Sequence, residues 1–230
     1  MPNPIAILGD FNPSYSTHRA LNESIHHLKE SLSQNAEFQW VGTETITADS
    51  CSQYSGLWIA PGSPYNNMSN VLDAIASART GNIPTLGNCG GFQHMLIEFA
   101  RNVCGIPDAD HEETNTNTKE PLISRLSCSL VGEQETVILN QRDSRLYSIV
   151  RQDAILGKYY CNYGLNPKYI SLLESHGLIL TARSETGEVR AFELLNHPFY
   201  MGTLFQPALT SVQGTPNPIL IEFVNACLHQ

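Results

Sequence analysis

The sequence predicts an α/β fold with a mostly parallel central sheet flanked by helices. Three times before residue 106, a short apolar run leads through a turn containing glycine or proline into apolar residues spaced as on one face of a helix. Strands that alternate with helices in this way need crossover connections, which put parallel strands side by side and helices on both faces of the sheet. The length of 230 residues leads us to expect a single domain over residues 1–230.

The three units share one plan of strand, turn and helix. Strands are expected at residues 5–8, at residues 57–60 and directly after Pro84. The apolar positions of the three helices are, in chain order, Leu21, Ile25, Leu28 and Leu32; Met68, Val71, Ile75 and Ala78; and Met95, Leu96, Phe99 and Val103. Gly105 and Pro107 are expected to close the third helix.

The second half of the chain is expected to be rich in strands. It follows a polar, acidic stretch at residues 108–120, which we expect to be a solvated loop. The clearest β-forming runs are residues 136–139, 178–180 and 201–205. A last helix is expected to start with Asn217 as the cap and Pro218 at the first helical position.

Composition and charge exclude several classes of function. The formal net charge of -9 gives no general attraction to nucleic acid or to anionic membranes, so neither is an expected partner. The first residues lack the basic and apolar regions of a signal peptide, and no stretch reaches the roughly 18 apolar residues of a membrane span. A cytoplasmic location is therefore expected.

The six cysteines contain no CxxC pair and have no regular spacing, which argues against a zinc ribbon and against a disulfide framework. Each cysteine is expected to be a small buried residue unless its surroundings give it a chemical role. The acidic run at residues 108–113, which includes His111, matches no EF-hand or zinc spacing. We therefore expect no metal and no cofactor.

One motif carries chemistry. Residues 87–91, G-N-C-G-G, have the form G-x-C-x-G, which is the cysteine counterpart of the hydrolase nucleophile elbow. Cys89 would sit at the start of the following helix, whose unpaired amides and dipole stabilise a thiolate. The amide of Gly90 would point to the place where an oxyanion forms, and the turn containing Gly62 and Ser63 could supply a second donor. The sequence predicts Cys89 as a nucleophile.

Residues 86–93 read L-G-N-C-G-G-F-Q, and residues 97–103 read I-E-F-A-R-N-V. These two segments resemble the C-terminal glutaminase domain of CTP synthases, which are class I glutamine amidotransferases. The resemblance extends to residues 59–63, to Asp108, Asp110 and Glu113, to Y-G-L-N at 163–166 and to N-H-P-F-Y at 196–200. It implies a flavodoxin-like fold and substrate contacts at Gln93, Glu113, Cys161 and Asn162.

The chain departs from that family at the triad partners. The family takes its proton-accepting histidine and orienting glutamate from an H-P-E motif, and here the corresponding residues are Gln206 and Ala208. A neutral amide cannot accept a thiol proton near neutral pH. General acid–base assistance is worth roughly 10²–10⁴ in rate, so ordinary glutaminase turnover is expected to be severely impaired. The family's glycine at the oxyanion turn is Ser63, and its H-R-Y segment reads Cys161-Asn162-Tyr163.

Four histidines are candidates for a replacement base. His94 lies roughly 140° around a helix from Cys89 and is expected to point away from it. His111 is expected to be solvated surface in an acidic loop, His176 to be an exposed turn residue and His197, which precedes a proline, to be structural. None of the four is a strong candidate.

Four functions remain open on the sequence. The first is a cysteine-dependent hydrolase or transferase acting on a small amide, ester or thioester other than glutamine. The second is a non-catalytic protein that binds a metabolite or a partner, and the third is a glutaminase subunit of a separate synthase. The fourth is a thiol redox role through Cys89 and Cys161. The substrate, the synthase partner and any homo-oligomer are left open by the sequence.

Overall fold

The computed structural model describes residues 3–32 and 35–229. Its helices are α1 (Ser16–Ser31), α2 (Met68–Thr80), α3 (Gly90–Asn102), α4 (Arg145–Val150), α5 (Ile170–Ser175) and α6 (Pro218–Leu228). Its strands are β1 (Ile5–Leu8), β2 (Phe38–Val41), β3 (Gly56–Ile59), β4 (Thr85–Asn88), β5 (Ile123–Arg125), β6 (Gln134–Leu139), β7 (Ala154–Lys158), β8 (Tyr163–Leu165), β9 (Ile179–Ser184), β10 (Val189–Glu193) and β11 (Tyr200–Thr203).

A nine-stranded sheet in the order β2-β1-β3-β4-β11-β10-β9-β6-β7 forms the centre of the fold. Strands β2, β1, β3, β4 and β11 run parallel, and the sheet continues through antiparallel pairs from β11 to β7. Strands β5 and β8 form a separate antiparallel pair. The predicted fold class, a mostly parallel sheet flanked by helices, is confirmed, and the antiparallel extension supplies the β-rich second half.

The parallel part of the sheet is buried, as its sequence requires. All residues of β1, β3 and β4 are buried, which explains why β1 and β3 carry continuous rather than alternating apolar residues. Helix α3 packs against the sheet, and all of its residues from Gly90 to Ala100 are buried. The third strand–helix unit therefore lies in the middle of the core.

Parallel neighbours end at the same edge of the sheet, and this places the functional residues. Strands β3 and β4 pair in parallel with Ile59 opposite Gly87. The turn that follows β3 and the elbow that follows β4 must then lie side by side. No helix within the described ranges is both long enough and apolar enough to traverse a bilayer.

Candidate active site

Cys89 occupies a strained elbow between β4 and α3. Its backbone has φ 51° and ψ -106°, a conformation that residues with a side chain rarely adopt. The flanking glycines are required by close packing: a Cβ atom at position 91 would lie 2.5 Å from the carbonyl oxygen of Ile59. A Cβ atom at position 87 would collide with the Met95 sulfur. The spacing of the G-x-C-x-G motif therefore follows from the tight turn between strand and helix.

Two backbone amides lie beside this elbow. Gly90 is the first residue of α3, where backbone N–H groups have no acceptor within the helix, and no side chain caps this end. Ser63 packs directly on Gly90, since a Cβ atom at position 90 would lie 3.2 Å from the Ser63 amide nitrogen. The amides of Gly90 and Ser63 are thus neighbours next to Cys89, which is the arrangement an oxyanion would need.

Two cavities meet at Cys89. The smaller, of about 110 Å³, is lined by Gly62, Ser63, Cys89, Gln93, Glu113, Tyr160, Cys161, Asn162 and Tyr163. The larger, of about 340 Å³, is lined by Ser14, Tyr15, Ser16, Thr17, Pro61, Gly62, Ser63, Cys89, Tyr160 and Gln206. They share Gly62, Ser63, Cys89 and Tyr160, so one thiol stands between two compartments. We call them the small and the large cavity.

The sequence-predicted residues collect around these cavities. Cys89, the turn residues Gly62 and Ser63, and all four predicted substrate contacts line the small cavity. Gln206 lines the large cavity. Ala208 is buried in the short 3-10 helix Pro207–Thr210 and lines neither cavity. The structure thus brings the predicted residues together, and their chemical roles remain predictions.

Cys161 is a second thiol in the small cavity. It is buried, and hydrogen bonding to Cys89, together with burial, raises the pKa of the Cys161 thiol well above its ordinary value. Cys89 is itself 7% exposed, and its sulfur lies 3.8 Å from the carbonyl oxygen of Tyr160. The segment that joins β7 to β8 therefore covers Cys89, and the raised pKa keeps Cys161 protonated beside it.

His111 is buried, and the expectation of a solvated loop residue was wrong. It is 1% exposed, its Nδ1 accepts a hydrogen bond from the Glu113 amide at 3.1 Å, and its Nε2 lies 3.2 Å from Gln93 Oε1. Gln93 in turn donates to the Tyr163 carbonyl at 2.8 Å. Burial lowers the pKa of His111 to about 4, so the neutral ring orients Gln93 at the small cavity.

The other histidines named from the sequence do not reach the thiol. His94 Nδ1 lies 2.7 Å from the Gly90 carbonyl oxygen, and burial lowers the pKa of His94 to about 4. His197 is buried and accepts a hydrogen bond from the Phe199 amide, and His176 is exposed at the end of α5. No histidine in the described part of the chain lines either cavity. Both cavities therefore lack an imidazole base.

Sequence reasoning missed His18, which holds the turn after β3 that contains Gly62 and Ser63. His18 is buried; its Nδ1 accepts a hydrogen bond from the Asn12 amide at 3.0 Å, so Nε2 carries the proton and donates to the Pro61 carbonyl at 2.8 Å. The rings of Phe11 and Trp40 lie against it. Burial lowers the pKa of His18, which keeps this positioning hydrogen bond a neutral one. The sequence carried no local signal for a contact between positions 43 residues apart.

Comparison with known proteins decides the family. The model of the class I glutamine amidotransferase family matches residues 17–225. The chain belongs to this family. It is 29% identical over 245 residues to the CTP synthase of Sulfolobus acidocaldarius, covering 98% of this chain and 46% of that protein. It is 28% identical over 241 residues to the CTP synthase of Saccharolobus solfataricus, covering 96% and 44%. The chain therefore spans about half the length of these curated relatives.

Two solved structures illustrate the fold that this chain shares with known proteins. The glutaminase domain of Trypanosoma brucei CTPS with bound acivicin superposes with a TM-score of 0.91 at 22% identity, covering 99% of this chain and 94% of that chain. A putative GMP synthase subunit from Thermoplasma acidophilum gives a TM-score of 0.62 at 20% identity, covering 99% and 96%. At these identities the likeness is one of fold.

Gln206 occupies the position that the resemblance to class I glutamine amidotransferases gives to the triad histidine. Its side-chain amide nitrogen, Nε2, has no hydrogen-bond partner in the described residues. Gln206 is 2% exposed, and its backbone amide donates to the Lys158 carbonyl at 2.9 Å. The side chain shares the large cavity with Cys89. The side chain that by resemblance replaces the triad histidine is thus an amide beside the cavity of Cys89, and it cannot take up a thiol proton.

Proposed function

We propose that this protein is a cysteine-dependent acyl hydrolase or acyltransferase that uses Cys89 on a small activated acyl substrate other than glutamine. The observation that carries the proposal is the backbone of Cys89, a residue held at φ 51° at the start of α3 between two cavities. Such strained conformations cost about 1–3 kcal/mol and cluster at active sites, where the strain aims a reacting group.

The lack of a base restricts the classes of substrate that Cys89 could cleave. In a complete triad the histidine first takes the thiol proton and then gives it to the leaving group. Gln206 can do neither. A Cys89 thiolate stabilised by the end of α3 needs no base to attack, but an amine cannot leave from an amide without gaining a proton. Thioesters and other activated acyl groups, whose leaving groups depart as anions, are therefore favoured over amides.

The proposed reaction has two balanced steps. The Cys89 sulfur attacks the acyl carbon and forms a C–S bond, and the leaving group departs with the electron pair of the broken bond. The amides of Gly90 and Ser63 stabilise the negative oxygen of the intermediate. Water then adds to the acyl carbon, the C–S bond breaks with its electron pair on the Cys89 sulfur, and the product leaves as a carboxylate while both protons of the water pass to solvent. An acceptor nucleophile that replaces water gives up its proton to solvent in the same way.

Labelling of Cys89 with a chloroacetamide probe tests the proposal. Cys128 is exposed and reacts for reasons unrelated to a site, so the experiment uses a Cys128→Ser background with mass-spectrometric localisation. We expect Cys89 to be modified faster than the remaining cysteines at neutral pH. We also expect hydrolysis of small acyl thioesters that is lost in Cys89→Ala. Equal labelling of the buried cysteines, or thioester turnover that survives Cys89→Ala, contradicts the proposal.

One observation favours a second candidate, a non-catalytic binding protein: no histidine among the described residues lines either cavity, and an amide replaces the triad histidine. This candidate requires that Cys89→Ala binds the natural ligand as tightly as the unmodified protein does. It also requires that the purified protein turns over no member of a panel of thioesters, esters and amides. Any turnover that depends on Cys89 rules it out.

A further inference from the structure

Helix α1 presents an uncapped N-terminus. The N-cap residue Tyr15 makes no side-chain capping bond, and the first turn contains no acidic residue. By contrast, α2 is capped by Asn67 and α6 by Asn217. The first amides of α1 thus lack intrahelical acceptors and carry the positive end of the dipole of a 16-residue helix.

The large cavity lies at this open end. Ser16 and Thr17, the first two residues of α1, form part of its wall. The lining, as far as the described residues form it, contains several hydroxyl groups but no lysine, arginine or acidic residue. Asp10, which lines an adjoining cavity, is already engaged, because its carboxylate accepts hydrogen bonds from the Thr43 and Asn66 amides, each at 2.9 Å. The Arg19 guanidinium, on the first turn of α1, donates to the Pro13 and Ser14 carbonyls, so its positive charge adds to that of the helix end beside the large cavity.

An independent observation comes from the other end of the chain. Gln206 reaches the same cavity, and its buried Nε2 lacks any acceptor in the described residues. A buried amide donor without a partner is unfavourable, and a bound acceptor would remove that cost. A half-turn of the side-chain amide exchanges its nitrogen and oxygen, so the donor can be turned toward a ligand. Two unrelated elements of the described chain thus hold unsatisfied donors beside one cavity.

We propose that the large cavity binds the leaving group of the substrate and that this group carries an anionic oxygen group, a phosphate or a carboxylate. The inference rests on the proposed acyl chemistry at Cys89. The leaving group belongs on the side from which a triad histidine would protonate it, and Gln206 holds that position by resemblance. The small cavity, with Gln93 and Glu113, is left for the acyl part.

The same arrangement accounts for catalysis without an acid. When the bond to the acyl carbon breaks, the leaving group takes the electron pair and its negative charge grows. The end of α1 and the Gln206 amide then stabilise this charge in place of a proton. An acyl phosphate would place its phosphate there directly, whereas a thioester would place there an anionic group carried by its thiol portion.

Titration with inorganic phosphate, followed by phosphorus NMR and calorimetry, tests the site without requiring turnover. Ser16→Pro removes one helix-end amide at the first helical position, where proline fits, and the extended backbone of Tyr15 tolerates a following proline. Ser16→Ala is the matched control, since it removes the hydroxyl alone. We expect phosphate to bind about tenfold or more weakly to Ser16→Pro than to Ser16→Ala. Circular dichroism verifies that both variants fold.

A second pair of variants tests Gln206. Gln206→Glu preserves shape but places a negative charge at the cavity, and we expect it to abolish phosphate binding. Gln141→Glu makes the same change on an exposed residue beyond β6, at the opposite end of the sheet, and we expect no effect. Titration with acetate forms the second arm. Binding of phosphate but not acetate identifies a phosphate-bearing leaving group, and the reverse identifies a carboxylate.

The outcomes separate this inference from the proposed function. Failure of both anions to bind the unmodified protein, or binding that Ser16→Pro and Gln206→Glu leave unchanged, overturns the anion site even if Cys89 is reactive. Phosphate or acetate binding that is retained in Cys89→Ala and lost in Gln206→Glu supports the anion site even if no thioester is turned over. In that second case the site stands and the acyl chemistry fails.

Discussion

Cys161 and Cys89 form a pair of neighbouring thiols in the small cavity, and hydrogen bonding to Cys89 is the main reason that the pKa of Cys161 is raised well above its ordinary value. The raised pKa keeps the Cys161 thiol protonated at neutral pH. A protonated thiol beside a thiolate is a hydrogen-bond donor, so Cys161 is placed to stabilise the reactive form of its neighbour. This relationship yields the first prediction.

Replacing Cys161 with alanine is expected to slow modification of Cys89 at neutral pH by roughly tenfold, since a hydrogen bond to a charged group contributes about 1.5–3 kcal/mol. Cys161→Ser keeps a donor at the same place and is expected to retain most of the rate. The measurement is the second-order rate of chloroacetamide labelling at Cys89 in a Cys128→Ser background. Equal rates in the serine and alanine variants would contradict a donor role for Cys161.

The packing of the elbow yields the second prediction. An alanine Cβ at position 91 would lie 2.5 Å from the Ile59 carbonyl, whereas one at Gly42 would meet nothing closer than 3.9 Å. We expect Gly91→Ala to lower the free energy of unfolding by about 1–3 kcal/mol, with loss of Cys89 reactivity because the start of α3 must move away from the end of β3. Gly42→Ala is expected to change stability by less than about 0.5 kcal/mol. Urea unfolding of both variants measures this difference.

The sequence predicted the parts of the fold that depend on local pattern. The strands at Ile5–Leu8 and Gly56–Ile59 and the helix at Gly90–Asn102 carry apolar runs or helical spacing strong enough to read directly. Strand β2, Phe38–Val41, was missed because it is a short edge strand with an exposed Gln39 and no unbroken apolar run.

The features of the site that the sequence did not predict depend on contacts between residues far apart in the chain. Acidic neighbours suggest that His111 is solvated, but its contact with Gln93 buries it. The start of α1 and Gln206 form one cavity although they are separated by most of the chain. No pattern within one segment carries information of this kind, whereas the elbow at Cys89 is contained in five consecutive residues.

The buried histidines yield the third prediction, a loss of stability in mild acid. Burial lowers the pKa of both His94 and His111 from 6.5 to about 4. Between about pH 6.5 and about pH 4 these histidines bind protons in the unfolded chain but not in the folded protein. The free energy of unfolding therefore falls as the pH is lowered through this window, and it levels off below about pH 4. The loss between about pH 7.5 and about pH 5 is of the order of 2 kcal/mol per histidine.

Urea unfolding at the two pH values measures this loss. His94→Asn retains an amide able to donate to the Gly90 carbonyl but does not titrate, so its stability is expected to depend less on pH than that of the unmodified protein. His176→Gln changes an exposed histidine and is expected to show the full dependence. A pH dependence of His94→Asn as steep as that of the unmodified protein would exclude His94 as a source.

The fourth prediction concerns the missing triad partners. Gln206 shares the large cavity with Cys89, so an imidazole at position 206 would face the thiol from the side on which the family carries its base. We expect Gln206→His/Ala208→Glu to raise ammonia release from glutamine by roughly 10²–10⁴ over the unmodified protein, the usual effect of general acid–base assistance. Gln206→His alone is expected to give a smaller gain, since nothing then orients the ring.

Two controls decide what the rescue means. Adding Cys89→Ala must abolish the gained activity, which ties it to the nucleophile. If the double variant gains nothing, Asn162→Arg is added, because Cys161-Asn162-Tyr163 replaces the family's H-R-Y segment in the small cavity. Activity that appears only with the added arginine would show that glutamine recognition, as well as proton transfer, limits the unmodified protein.

Ammonia release by the unmodified protein as fast as by either variant would mean that another group already serves as the base. The preference for substrates with anionic leaving groups would then lose its foundation.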